Sequence, residues 1–329
     1  MKRLLSAVLS VLWCAGFFSL DVVQAAEKYP VKQISFIVAT EAGGDGDILV
    51  RSLMERVSKT LGQPIVIVNK PGAGSSIGHR ELHRAKPDGY TLGWGSAPLI
   101  TTKLQGISPL DHHDFTHLGG YATFFYIVIS SAKTKPQFNT IQEVIAYAKA
   151  NPGKLNMATA GIGQGWWLAA MSFLGGTGIN VNTIPQPGTA AMVLTQVAGG
   201  HADLGVLGLA SAKSMIQGGQ VKFLASGGEG RAAAPYDKVP TVKELGYDAS
   251  FESINIVIGP PNLPKEIVAV WKNAVEKAAK DPAFVKFVSD RNARWAYIPP
   301  EKVLPALDKS RDTLREIMRK AGILKEAKK

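Results

Sequence analysis

The stretch that most constrains the fold is Asn69-Lys70-Pro71-Gly72-Ala73-Gly74-Ser75-Ser76-Ile77-Gly78. The β-branched run Ile65-Val66-Ile67-Val68 leads into it, and His79 to Ala85 leaves it with helical character. A strand therefore feeds a glycine-rich turn that opens a helix. Glycine permits positive φ and lets a ligand approach without a Cβ clash. Backbone N–H groups at a helix start, aided by the helix dipole, favour an anion there. The spacing Gly72-x-Gly74-x-x-x-Gly78 is one residue longer than the dinucleotide fingerprint, and no Gly-Lys-Ser/Thr follows, so it is not a P-loop. A glycine turn with no ligand satisfies the same letters.

The unit recurs along the chain. Ile34 to Val38 runs into the loop Glu41–Asp47, and Leu49, Leu53, Val57 and Leu61 then show helical spacing over 48–61. Asp47 falls where a capping or first-turn carboxylate belongs. Thr91 to Ala97 reads as a third strand running into a small-residue turn. Loops at the carboxyl ends of such strands converge on one crevice. In the second half, Tyr126 to Ile129, Asn156 to Thr159 and Leu204 to Leu207 read as strands. Thr140 to Lys149 reads as a helix, and the loop 161–167 opens another over 168–174. Pro185-Gln186-Pro187-Gly188-Thr189 opens a further one. After a strand at Ile254 to Ile258 the remainder reads as helices over 265–280, 281–291 and 300–321. The alternation predicts an α/β protein with parallel strands in two halves.

Met1 to Ala26 reads as a secretory signal. Lys2 and Arg3 form its basic start, Leu4 to Leu20 is mostly apolar, and Val23-Gln24-Ala25 offers small residues for cleavage after Ala25 or Ala26. The one cysteine, Cys14, lies inside it behind Trp13, which does not suit a lipoprotein signal. The mature chain then needs neither disulfides nor a reducing compartment. The net charge of +11 is spread out and densest in the last helices. With no aromatic-interleaved basic patch and no zinc-finger spacing, nucleic acid is excluded as a partner. No later stretch is long and apolar enough to span a membrane.

Other chemistry-bearing residues give no catalytic or metal pattern. His79 and His83 share a helical face, but the intervening Glu81 is displaced by one from the His-Glu-x-x-His order. His112, His113 and His117 add imidazoles without cysteine or an obvious further ligand, so no metal is expected. No Gly-x-Ser-x-Gly elbow is present. Trp166-Trp167 at a helix start either stacks on a flat ligand or splits between core and hinge.

The residues resemble the tripartite tricarboxylate transporter substrate-binding proteins, the Bug family, from Tyr29 almost to the end. The blocks that carry it are Gly43-Gly44 with Asp47 and Arg51, Leu61-Gly62-Gln63-Pro64, Asn69 to Gly74, Ile77-Gly78 and Pro87 to Leu92. Asp114-Phe115-Thr116, Ala148 to Asn156 and Val239-Pro240-Thr241-Val242 continue the series. The chain departs from the family where prolines would replace Ala39 and Ala42, and where Gln186-Pro187-Gly188 stands for Tyr-Lys-Gly. It departs again where Ile254-Asn255-Ile256 stands for Trp-Tyr-Gly, and near Trp167, where a histidine is usual.

The resemblance implies a type II, Venus-flytrap, periplasmic-binding-protein-like clamp. Its divisions would be a signal peptide at 1–25, a first lobe at 26–125 and 252–329, and a second lobe at 126–251. It implies cleft residues Gly43, Gly44, Asp45, Asp47, Gly74, Ser75, Ser76, Gly78 and Ser96 from the first lobe. From the second it implies Ala160, Gly161, Gly163, Gln164, Trp166, Trp167, Gly188 and Thr189. It further implies a monomeric periplasmic receptor without catalysis or cofactor. Such a receptor passes a small carboxylate, aliphatic or aromatic, to membrane transporter subunits. Two alternatives stand beside it: the same clamp signalling to a membrane kinase, and an enzyme on a dinucleotide-type fold.

Overall fold

The computed structural model describes residues 29–186, 190–291 and 293–325. The expected signal segment lies outside the described residues, as do Gly188 and Thr189. Short apolar runs alternate with amphipathic stretches and give two separate sheets. The first contains β1 (Ile34–Val38), β2 (Ile65–Asn69), β3 (Thr91–Gly95), β4 (Thr116–Phe125), β10 (Glu252–Gly259) and β11 (Arg294–Ile298), in the order β11-β4-β10-β3-β1-β2. The second contains β5 (Ile127–Ser131), β6 (Asn156–Thr159), β7 (Asn182–Pro185), β8 (Leu204–Leu207) and β9 (Val221–Ser226), in the order β7-β6-β8-β5-β9.

Both sheets are mixed: the parallel strands expected in the two halves are present, with antiparallel strands beside them. β1 pairs in parallel with β2 and β3, and β6 with β7 and β8. The strands next to the lobe crossings run the other way: β10 is antiparallel to β3 and β4, and β5 to β8 and β9. The chain enters and leaves each lobe there, so these strands have no crossover helix to turn them parallel.

Helices cover the sheets. They are α1 (Asp45–Leu61), α2 (Ser76–His83), α3 (Pro98–Leu104), α4 (Ile141–Ala150), α5 (Gly165–Thr177), α6 (Ala190–Gly199), α7 (Leu209–Gln217), α8 (Lys265–Ala279), α9 (Pro282–Asp290) and α10 (Pro300–Lys320). One core gathers β1, α1, α8 and α9 around fully buried Phe36, Leu53, Trp271 and Phe284. Another runs from Ile37 and Leu82 through Val303, Leu307 and Leu314 of α10 to Trp167 and Phe173 of α5. The amphipathic α10 thus packs on both lobes, against β4 and α3 on one side and α5 on the other.

Only Tyr126 separates β4 from β5, and 227–251 connects β9 to β10. These two passages are bonded to each other. The Tyr126 hydroxyl donates to the Ala249 carbonyl (2.6 Å), and the Gly227 N–H donates to the Tyr126 carbonyl (2.8 Å). A Cβ on Gly227 would fall 1.8 Å from the Tyr126 ring, so only glycine lets the connections run side by side.

Candidate functional site

A cavity of about 380 Å³ lies between the lobes, within the range of small-molecule sites. Its first-lobe wall is made of loops leaving the carboxyl ends of β1, β2 and β3: Ala39–Gly46, Pro71–Ser75 and Ser96–Pro98. Its second-lobe wall is the stretch Ile162–Trp166, with Ala190 and Ala191 at the start of α6 and Ser211 in the first turn of α7. Among the described residues, no lysine, arginine or histidine lines it.

The loop after β1 is held by Asp47. Its carboxylate accepts from the Gly43 N–H (2.9 Å), Arg51 Nε (2.8 Å) and Asn69 Nδ2 (2.9 Å). Asn69 Nδ2 also donates to the Thr40 carbonyl (3.0 Å). Burial works against the charge, but Arg51, Gly43 and Asn69 outweigh it and hold the carboxyl below its ordinary range. Asp47 is therefore the strut that fixes the Thr40–Gly44 loop, and the helix cap position goes to Gly44.

The loop after β2 holds a left-handed run. Ala73 (φ 46), Gly74 (φ 64) and Ser75 (φ 79) form a 3-10 turn into α2. Two non-glycine residues at positive φ beside a cavity store strain, a pattern concentrated at ligand clamps. A Cβ on Gly74 would reach Thr102 Cγ2 at 3.2 Å. Gly78 has a different reason to be glycine. A Cβ there would meet Ala39 Cβ at 2.8 Å and the Lys70 carbonyl at 2.9 Å, so it permits α2 to pack on β1 and does not line the cavity.

Of the residues anticipated for the cleft, the structure brings Gly43, Gly44, Asp45, Gly74, Ser75, Ser96, Gly163, Gln164 and Trp166 to the cavity surface. Asp47, Ser76, Gly78, Ala160, Gly161 and Trp167 stand behind or beside it. The tryptophan pair divides as neighbouring positions on a helix must. Trp167 is 5% exposed in the core, while Trp166 faces the cavity edge-on to Phe124, with ring centroids 6.2 Å apart. Sequence reasoning missed Trp94, Thr102, Gln105, Phe124, Phe251 and Ser253. Trp94 lies inside a strand already recognised, and the two phenylalanines flank the lobe crossings, so alternation along those strands was the available signal. Gln105 belongs to no motif and is placed only by tertiary packing against Gly163.

Asp45 is the acidic group that reaches across the cleft. Its carboxylate accepts from the Ser211 hydroxyl at 3.2 Å and 3.4 Å. Burial pushes its pKa up, against the pull of Ser211 and of Arg291.

A separate cluster joins His112 and His113 to α10. Both Nε2 atoms lie on Asp308 Oδ1, at 3.1 Å and 2.9 Å, and Arg311 Nη1 reaches the same oxygen at 3.2 Å. The carboxylate is already neutralised by the arginine, and the geometry is that of a clamp holding α10 against the first lobe. His79 and His83 both lie edge-on to Phe115.

A model of the tripartite tricarboxylate transporter family receptor matches residues 49–302. A Cupriavidus necator protein called UPF0065 protein in gbd 5′ region is 29% identical over 314 residues, which cover 94% of each chain. The solved structure of periplasmic binding protein BugD is similar with a TM-score of 0.79 at 28% identity, over 91% of this chain and 100% of that one. R. palustris Rpa4515 with adipate shares the fold, with a TM-score of 0.81 at 23% identity over 90% of this chain and 99% of that one.

Proposed function

This chain belongs to the tripartite tricarboxylate transporter family receptors, and on that premise we propose that it captures a small carboxylate in the periplasm and passes it to a membrane transporter. The observation that carries the reading is how the cavity offers anion donors without a basic side chain. Helices α5, α6 and α7 begin at its wall, through Gly165, Ala190 and Ser211, while the start of α1 carries its own carboxylate, Asp45, and no basic side chain among the described residues lines the cavity. Helix N-termini present backbone N–H groups and the positive end of the dipole, which suits an anion without a fixed counter-charge. Ser75 and Ser96 add hydroxyls on the first-lobe side, and water can bridge the remaining distance.

The ligand class has support from Rpa4515, which shares this fold and holds adipate. The rest of the lining sets the ligand's body. Trp94, Phe124, Trp166 and Phe251 give the cavity an apolar side on which an aromatic or aliphatic skeleton can rest. No histidine or lysine base stands beside the cavity serines among the described residues, and the receptor captures its ligand without turnover. The segment at 1–25 would export the chain, and the absence of a spanning helix among the described residues fits a receptor that meets its transporter from outside the bilayer.

A thermal-shift screen of mono-, di- and tricarboxylates, aliphatic and aromatic, tests this. A member present at a hundredfold excess over its Kd should stabilise the protein by about 2.7 kcal/mol. Trp166→Ala should weaken aromatic acids more than aliphatic diacids. A panel in which no carboxylate stabilises the protein would overturn the reading.

A further inference from the structure

In the sequence, His112 and His113 are imidazoles short of a further ligand, and the fold supplies one. Asp308 of α10, 195 residues beyond His113, brings its Oδ1 to 3.1 Å from His112 Nε2 and 2.9 Å from His113 Nε2. The three ligand atoms all lie within 4.8 Å of one another. None of the three residues lines the interlobe cavity, so the group stands apart from the carboxylate site. The pair of histidines is rigidly presented. His112–Asp114 forms a 3-10 turn closed by a capping box: the Asp111 carboxylate accepts from the His113 N–H (2.8 Å), and Asp114 Oδ2 accepts from the Asp111 N–H (2.8 Å). Lys103 Nζ lies 2.7 Å from Asp111 Oδ2 and anchors the turn to α3. His112 is buried and His113 exposed, with ring centroids 4.3 Å apart, so the group opens to solvent on one side.

Asp308 Oδ1 is crowded. It faces both Nε2 atoms and, at 3.2 Å, Arg311 Nη1: three donors on an oxygen with about two lone-pair sites. One divalent cation resolves the crowding by taking the two imidazole lone pairs and the oxygen together. His112 Nδ1 is buried with no hydrogen-bond partner among the described residues, so nothing there opposes the tautomer that leaves the lone pair on Nε2. Arg311 has somewhere else to go, because its Nε already lies 3.7 Å from Asp312 Oδ1. The spacing suits a small ion. Ligands about 2.0–2.2 Å from a tetrahedral zinc stand about 3.3–3.6 Å apart, so the three groups need to open by only about half an ångström. Two imidazoles with one carboxylate are a donor set for zinc and its neighbours, and too poor in oxygen for calcium or magnesium.

We propose that His112, His113 and Asp308 bind a zinc-class divalent cation, with water completing its shell on the exposed side. The ion's place gives it a mechanical role. α10 packs on β4 and α3 on one side and on α5 on the other. The ion would bond α10 to the turn before β4, and so convert the hydrogen-bonded clamp into a coordinated one. Binding only to the folded chain, it would stabilise the protein without touching the carboxylate site.

Calorimetry with zinc chloride and, in parallel, magnesium chloride tests the proposal, on protein purified without an affinity tag, stripped with a chelator and free of carboxylate ligands. The wild type should bind one zinc per chain and melt at a higher temperature with zinc than without it, and magnesium should do neither. His113→Ala alters an exposed side chain and leaves the buried His112 in place, so the variant should fold. It should bind zinc at least about tenfold more weakly and lose the gain in melting temperature. Asp308→Asn should do the same. His201→Ala, at an exposed histidine after α6, should keep wild-type zinc binding. No zinc binding by the wild type, magnesium bound as tightly as zinc, or wild-type zinc affinity in His113→Ala overturns the proposal. A loss in His201→Ala equal to that in His113→Ala overturns it too, since zinc would then be held elsewhere.

Discussion

His79 is 3% exposed, beneath the cavity-lining loops of the first lobe, bonded to the Trp94 backbone and edge-on to Phe115. Burial lowers its pKa from 6.5 to about 4. His117 is lowered to about 4 as well, again mainly by burial. For both, the folded value lies below the unfolded one. Between pH 6.5 and 4 the unfolded chain therefore binds protons that the folded chain does not, and stability must fall as pH drops through that window. Denaturant titrations at pH 7 and pH 5 should show the loss. His79→Gln should make the slope shallower while leaving the share that belongs to His117, and an unchanged slope would remove His79 from the account. At this scale the sequence was informative about type and less so about direction. The acidic first turn of α1 was legible, but Asp47 and Asp45 look alike two positions apart. Helix phase and the second lobe turn the first into a loop strut and the second into a cavity wall. Trp166 and Trp167 were likewise adjacent letters until the helix start at Gly165 assigned one to the cavity and one to the core.

The strand, glycine turn and helix units were visible because β-branched runs, glycines and helical periodicity agree over a few residues. The structure extends three of those helices backward, to Asp45, Ser76 and Gly165, because glycine and serine letters hide a first turn. β4 and β11 carry no local signal in the sequence that sets them apart as strands. β4 carries Gly119-Gly120 at its middle, where a Cβ would press on Val275 or Ile298, and it exists because β10 and β11 pair on either side. α7 and β9 have weak local signals and are fixed by packing on α6 and β5. The glycines of one loop system separate into two roles that letters do not distinguish. Gly78 is a packing glycine against backbone, so Gly78→Val should lower Tm sharply, at the cost expected of overpacking, about 1–3 kcal/mol or more. Gly44 has an ordinary φ of −72°, and a Cβ there meets only the Glu41 carbonyl, at 3.7 Å. Gly44→Ala, at a cap position where glycine outranks alanine, should cost less than Gly78→Val, on the order of 0.5–1 kcal/mol. Thermal melts of the two variants check this, and equal losses would show that close approach of α2 is not what Gly78 provides.

Two mixed sheets joined by bonded connections at Tyr126 and Gly227, with α10 packed on both, make a clamp whose cavity lies on the seam. The two-lobed class followed from the repeated units together with the family resemblance. The antiparallel strands at the crossings did not, since strand direction depends on where the chain re-enters each sheet. The central claim is that the carboxylate is captured in this interlobe cavity and not on an outer face. Ala191 allows it to be tested without disturbing the fold. It is exposed, lies in the first turn of α6 and lines the cavity from the second lobe. Ala191→Trp places a large side chain in the cleft and requires no change in backbone. Isothermal calorimetry should be run on this variant with the tightest carboxylate from the screen, beside a thermal melt of the ligand-free protein. The account predicts an unchanged melting temperature and a loss of affinity of at least about a hundredfold, near 2.7 kcal/mol. Wild-type affinity in a folded Ala191→Trp protein would contradict it.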